Sequence, residues 1–177
     1  MIAAPSPPPP ATLAALAALA ETHAAGVLRY LRSLVGDGET ARDLLQETFL
    51  RLHGRADGAG AALVYTVARS CAIDHLRRRK VRALREVPDE TASATAVAAA
   101  GRPDRDLETR ELRADLLAAL AILPEDQRSV FHLSEIEGLS YAEIATIVGV
   151  SPGTIASRKH HAVRKLRDEL RRRGHGA

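Results

Sequence analysis

A chain of 177 residues suits one larger or two small domains, each near the lower limit for burying its own core. Hydrophobic residues make up 46% but aromatics only 3%, with no Trp, and no run of alternating β-branched and aromatic residues occurs; Ala and Leu dominate, so the expected class is all-α. The formal net charge of +3 hides two basic clusters split by acidic residues, as for two contacts with one polyanion, and a single cysteine excludes an internal disulfide.

The chain opens on a Pro-rich segment, and residues 1–11 are expected to form a disordered tail. No Lys or Arg precedes the following Ala/Leu run, which is also too short to span a bilayer. Neither a secretion signal nor membrane insertion is therefore expected, and the cytoplasm is the expected location. A first helix is predicted to start with Thr12 as N-cap, with Leu13, Leu16, Ala20, Val27, Leu31 and Leu34 as its buried stripe. The Gly36–Gly38 stretch stops it. A second helix is predicted over Glu39–His53, with Leu44, Leu45, Thr48, Phe49 and Leu52 inside and Asp43, Gln46, Glu47 and Arg51 outside. After a loop over Gly54–Gly60, a third helix covers roughly Ala61–Arg82. Val64, Val67, Ala68, Cys71, Ala72 and Leu76 form its apolar face, and a basic run from His75 to Arg85 closes it. Cys71 on that face reads as inert core.

Periodicity is then lost. Residues 86–106 are small, polar and contain two prolines, as a flexible linker requires. The expected division is a domain over 12–85, this linker, and a second domain over 107–173. In the second domain Leu112, Leu116, Leu117, Leu120 and Leu123 mark one helix. Pro124 is expected at the first position of the next, where Glu125 and Asp126 complement the helix dipole. Val130, Phe131, Leu133 and Ile136 are expected to pack inward until Gly138, while Asp126, Glu135 and Glu137 read as solvated.

The segment from Gly138 to Leu166 carries the strongest local signals. Ser140 and Glu143 form a capping box, Gly149 suits the left-handed residue of a tight turn, and Ser151 followed by Pro152 caps another helix. With Ile144, Ala145, Val148 and Ile155 as core, this is a helix-turn-helix. Burying Ile155, Ala162, Leu166 and Leu170 at about 100° per residue turns Gly153, Ser157, His160, His161 and Arg164 outward, with Thr154 at the edge. Arg158 and Lys159 fall at the core boundary, from which they reach phosphates or neighbouring acids. Gly153 permits close approach to DNA, and the capped N-terminus at Ser151 adds a phosphate site. His160 and His161 point about 100° apart on a helix and have no third ligand at useful spacing, so no metal is expected. No nucleophile motif appears either, and neither a catalytic residue nor a cofactor is expected.

The whole pattern resembles the bacterial RNA polymerase sigma factors of the extracytoplasmic-function (ECF) group. Asp43–His53 (DLLQETFLRLH) is similar to their region 2.2, Tyr65–Lys80 (YTVARSCAIDHLRRRK) to region 2.4, and Leu123–Leu166 to region 4. The resemblance implies an all-α protein of two small helical domains and no active site. It implies docking on core RNA polymerase through Asp43, Gln46 and Glu47. It also implies reading of the promoter minus-ten element by Ser70, with Arg69, Arg77, Arg78, Arg79 and Lys80 on phosphates. The minus-thirty-five element would be read by the recognition helix, through Ser151, Gly153, Thr154, Ser157, Arg158, His160, His161 and Arg164. An anti-sigma factor is an implied partner, and a monomer the expected free state. The sequence departs from the family in a shorter loop after His53 that lacks the usual Trp, and at Ala156, Lys159 and His161, where basic or apolar residues are usual. The competing reading is a free-standing helix-turn-helix regulator acting as a dimer on a palindromic site.

Overall fold

The computed structural model describes residues 10–53, 55, 59–85, 115–116 and 118–175, and these contain helices and connections but no strand. The N-terminal lobe is three helices: α1 (Pro10–Val35), α2 (Gly38–Leu52) and α3 (Ala61–Arg85). α1 begins two residues before the expected Thr12 cap, because Pro10 has the fixed φ of a first-turn residue and an N–H is not needed there. Its stripe is buried from Val27 onward, whereas Leu13 is half exposed. Gly36 takes φ +80°, and the Asp37 carboxylate accepts the Thr40 N–H at 2.7 Å, so turn and cap together end α1 and start α2. That hydrogen bond holds the Asp37 carboxyl below its usual range. Thr48, fully buried, satisfies its hydroxyl by donating to the Leu44 carbonyl at 2.7 Å. Cys71 is buried, and desolvation pushes its thiol up in pKa, away from reactivity.

The C-terminal lobe contains a helical stretch at residues 115–116 and 118–121, then α4 (Glu125–Phe131), a π-helical segment (His132–Ile136), α5 (Tyr141–Val148) and α6 (Pro152–Arg172). Leu112, Leu117 and the expected linker at 86–106 lie outside the described residues. Pro124 is the N-cap of α4 rather than its first residue. Its ψ of 144° is extended, and its carbonyl accepts the Gln127 and Arg128 N–H groups, each at 2.9 Å. The π segment adds a residue to the turn and shifts every later side chain around the axis. Ile136, expected inside, is therefore 45% exposed. Glu137, expected in solvent, is buried, its side chain 8% exposed.

Two separate cores were expected, and the structure joins them. Val27, Tyr30, Leu31, Val64 and Tyr65 of the N-terminal lobe belong to one apolar cluster with Val130, Leu133, Ile144, Ile147 and Ile155 of the C-terminal lobe. Sharing removes both apolar faces from water. Tyr30 stands at the seam. Its ring meets Tyr65 edge-on at 5.7 Å, and its hydroxyl shares a 2.5 Å hydrogen bond with the buried Ser129. A smaller cluster of Ala119, Leu120, Leu123, Ala162 and Leu166 holds α6 in the C-terminal lobe.

Candidate nucleic-acid interface

The α5–α6 pair is built by its caps. Ser140 accepts the Glu143 N–H at 3.3 Å, while the Glu143 carboxylate accepts the Ser140 N–H at 2.8 Å. These bonds hold the Glu143 carboxyl below its usual range. Gly149 then turns the chain at φ 76° and ψ 35°, a left-handed conformation. Ser151 opens α6 by accepting the Thr154 N–H at 3.2 Å, and its hydroxyl lies 2.9 Å from that of Thr154. Ile155, Ala162 and Leu166 point inward and are buried. Ser151, Gly153, Thr154, Ser157, His160, His161 and Arg164 are exposed and share the outer surface of α6. The His160 and His161 rings stand edge to face at 5.8 Å, and no cluster of three metal-ligating side chains occurs among the described residues.

Arg158 does not join that outward row. Its guanidinium lies 2.8 Å from the Asp126 carboxylate of α4. Lys159 pairs with Glu135 at 2.5 Å, and its ammonium sits 5.4 Å from the centre of the Tyr141 ring. Both therefore turn to neighbouring acids, one of the two destinations open to boundary cations.

On α3, Ser70, Arg77, Arg78, Arg79 and Lys80 are exposed, and the basic face continues through Arg82 and Arg85. Arg69 stands apart from them. Its side chain is 18% exposed and its Nη2 donates to Asp126 at 3.0 Å and Glu125 at 3.4 Å. Burial raises the Glu125 carboxyl pKa, with the Arg69 charge opposing it. His75, at the root of the basic run, is pushed below its usual pKa by burial and then by Arg78, Arg79 and Arg82.

On α2, Asp43 and Gln46 are exposed side by side with Leu50, 66% exposed, which sequence reasoning left out. Glu47 is half-buried and bound to Arg51 at 2.6 Å, and Arg51 reaches Asp74 of α3 at 3.5 Å. The four-residue spacing from Gln46 to Leu50, which puts both on one outward face of α2, is the local signal that could have found it.

Comparison with known proteins fits this arrangement. Family models for sigma-70 region 2 and sigma-70 region 4 match residues 19–82 and 113–166. The ECF RNA polymerase sigma factor SigL of Mycobacterium tuberculosis is 37% identical over 170 residues, covering 93% of each chain. The RNA polymerase sigma factor CarQ of Myxococcus xanthus is 38% identical over 154 residues, 84% of each. Among solved structures, the sigma factor RpoE of Bartonella quintana, in complex with the anti-sigma factor NepR, aligns with a TM-score of 0.62. It is 27% identical and the match covers 91% of this chain and 94% of that one. A free-standing dimeric regulator is not favoured, because region 2 is matched as well as the helix-turn-helix. With both regions present in order and the relatives aligned over most of their length, the chain belongs to the ECF group of sigma factors, specificity subunits that bind core RNA polymerase and direct promoter-specific transcription initiation.

Proposed function

We propose that promoter recognition is two-handed. In this reading α6 enters the major groove of the minus-thirty-five element, with Ser157, His160, His161 and Arg164 toward base edges. Ser151, Gly153, Thr154 and Arg158 serve the phosphates there. Ser70 faces the minus-ten element, with Arg69, Arg77, Arg78, Arg79 and Lys80 along the non-template strand. Asp43, Gln46 and Glu47 dock on core polymerase. The supporting observation is the outward row on α6, a capped helix whose opposite side buries Ile155, Ala162 and Leu166 in the core. Residues 12–85 and 107–173 act as the two binding units, 86–106 as the tether and 1–11 as a tail. The protein has no active site of its own; polymerase supplies the chemistry. It works in the cytoplasm with that polymerase, is a monomer when free, and is a target for an anti-sigma factor.

The experiment is binding of the full chain to purified core polymerase. Wild type is expected to form a stable one-to-one complex, and the double variant Asp43→Lys, Gln46→Lys to bind about tenfold more weakly, since two new positive charges on the α2 face oppose a complementary surface. Equal binding by both proteins would remove α2 from the docking face.

A further inference from the structure

The outward row of α6 points wherever the rotation of that helix about its own axis sends it. Over Pro152–Leu166 the buried stripe is Ile155, Ala162 and Leu166, which lie within about 40° of one another at about 100° per residue. With only a methyl at Ala162, so narrow a stripe offers few contacts against rolling. Arg158 and Lys159 flank it on opposite sides, about 60° and about 40° from Ile155. Each is tied to an earlier element of its own lobe. Arg158 lies 2.8 Å from Asp126 of α4. Lys159 lies 2.5 Å from Glu135 of the π-helical segment, and its ammonium stands 5.4 Å from the centre of the Tyr141 ring at the start of α5. The hydrogen bond to Glu135 holds that ammonium above its ordinary pKa. Two ties on opposite flanks fix a rotation that neither fixes alone.

A small error of rotation matters at DNA. Side chains reach about 5–6 Å from a helix axis, so a roll of about 20° carries a tip about 2 Å sideways. A hydrogen bond to a base edge does not survive that shift. Stability is not what the Lys159 pair supplies, because its side chains are 26% and 43% exposed and an ion pair so accessible adds little to folding. Nor does Lys159 face the groove, since it lies about 140° around the helix from Arg164. We infer that Lys159 is a positioning residue for promoter recognition: through Glu135 and the Tyr141 ring it sets the roll of α6, and with it which of Ser157, His160, His161 and Arg164 meet base edges. The added residue of the π-helical turn shifts which side chain of that segment faces α6, and Glu135 is the one that does. The inference rests on the reading of α6 as the helix that reads the minus-thirty-five element.

The test is sequence selection by holoenzyme assembled from the full chain and purified core polymerase. The probe is a pool of DNA duplexes of fully random sequence, and the bound fraction is sequenced. The quantity read is the specificity ratio, the enrichment of the best upstream motif over its single mismatches. Lys159→Gln and Glu135→Gln are each expected to lower this ratio by about fivefold, the scale of one misread base pair. Both are expected to melt within about 2 °C of wild type. The exchange Lys159→Glu, Glu135→Lys is expected to return the ratio to within about twofold of wild type, although it takes a positive charge off α6. The inference is overturned if both single variants keep the wild-type ratio, or if the exchange does no better than they do. It is overturned too if only Lys159→Gln lowers the ratio, as a direct DNA contact would, or if every sequence loses affinity equally. Arg164→Ala is the control for the underlying reading. An upstream motif unchanged by Arg164→Ala would remove α6 as the minus-thirty-five reader, whereas a motif altered by Arg164→Ala but not by Lys159→Gln would remove the positioning role alone.

Discussion

Gly149 and His132 show how single residues set the behaviour of the whole. Gly149 holds the turn between α5 and the recognition helix at φ 76°, where an L side chain crowds its own backbone. Gly149→Ala is expected to destabilise the protein by about 1–2 kcal/mol, read as a lower urea midpoint at unchanged slope. The turn was legible in the sequence because its determinants, Ser140, Glu143, Gly149 and Ser151, act within three or four residues. His132 was not. It is buried beside the Tyr30 ring, with Nε2 3.2 Å from Glu137, and burial drives its pKa below the ordinary 6.5 despite the neighbouring carboxylate. The folded state therefore binds its proton less readily than the unfolded state. No stability is lost to this group above the unfolded pKa, and stability falls as pH drops through about 6.5 toward the depressed folded value. Thermal melts between pH 7.5 and about 5.5 are expected to show this acid-side loss. His132→Gln should flatten it, and an equal slope in both proteins would assign it elsewhere.

At the scale of elements, regular periodicity carried the sequence reading and an irregular turn defeated it. The α6 faces follow from counting in steps of one helical residue, and the structure buries Ile155, Ala162 and Leu166 as that count requires. The same count fails across His132–Ile136, where π-helical bonding adds a residue per turn, exposing Ile136 and burying Glu137. Nothing in the residue types of this segment marks the switch. The partners of Glu137 are equally hidden, since Arg29 lies 108 residues earlier in the chain and no local pattern links them. For α6 the expected consequence is functional. Arg164 is exposed on its outer surface and makes no ion pair among the described residues, so Arg164→Ala should leave the melting temperature within about 2 °C of wild type, as surface changes do. It should weaken binding to the minus-thirty-five element by about 1–3 kcal/mol, roughly fivefold to 150-fold, in a titration with labelled promoter duplex. A proportional loss on every sequence would make it a phosphate contact rather than a base reader.

In the proposed reading the whole molecule combines two weak hands. Exposed arginines and Lys80 on α3, and the outer row of α6, offer charge to phosphates in two places, and counterion release makes such binding fall steeply with salt. A plot of log affinity against log salt for the polymerase-bound protein on promoter DNA should be steeper than for either lobe's contacts removed, as with Arg77→Ala, Arg78→Ala, Arg79→Ala, Lys80→Ala together. In the same reading, docking on polymerase would fix the spacing of the hands and make the second contact intramolecular. The two-domain division was readable from the loss of periodicity after Arg85. The shared core was not, because Tyr30 and Tyr65 look in sequence like ordinary inward residues of their own lobe.

The most direct test of promoter-specific initiation is transcription by purified core polymerase on a fragmented genomic library, with and without this protein, followed by sequencing of RNA 5′ ends. The expected result is a set of new start sites preceded by two sequence motifs at one fixed spacing, abolished by loss of either hand. Unchanged start sites in the presence of a demonstrated complex with core polymerase would contradict it.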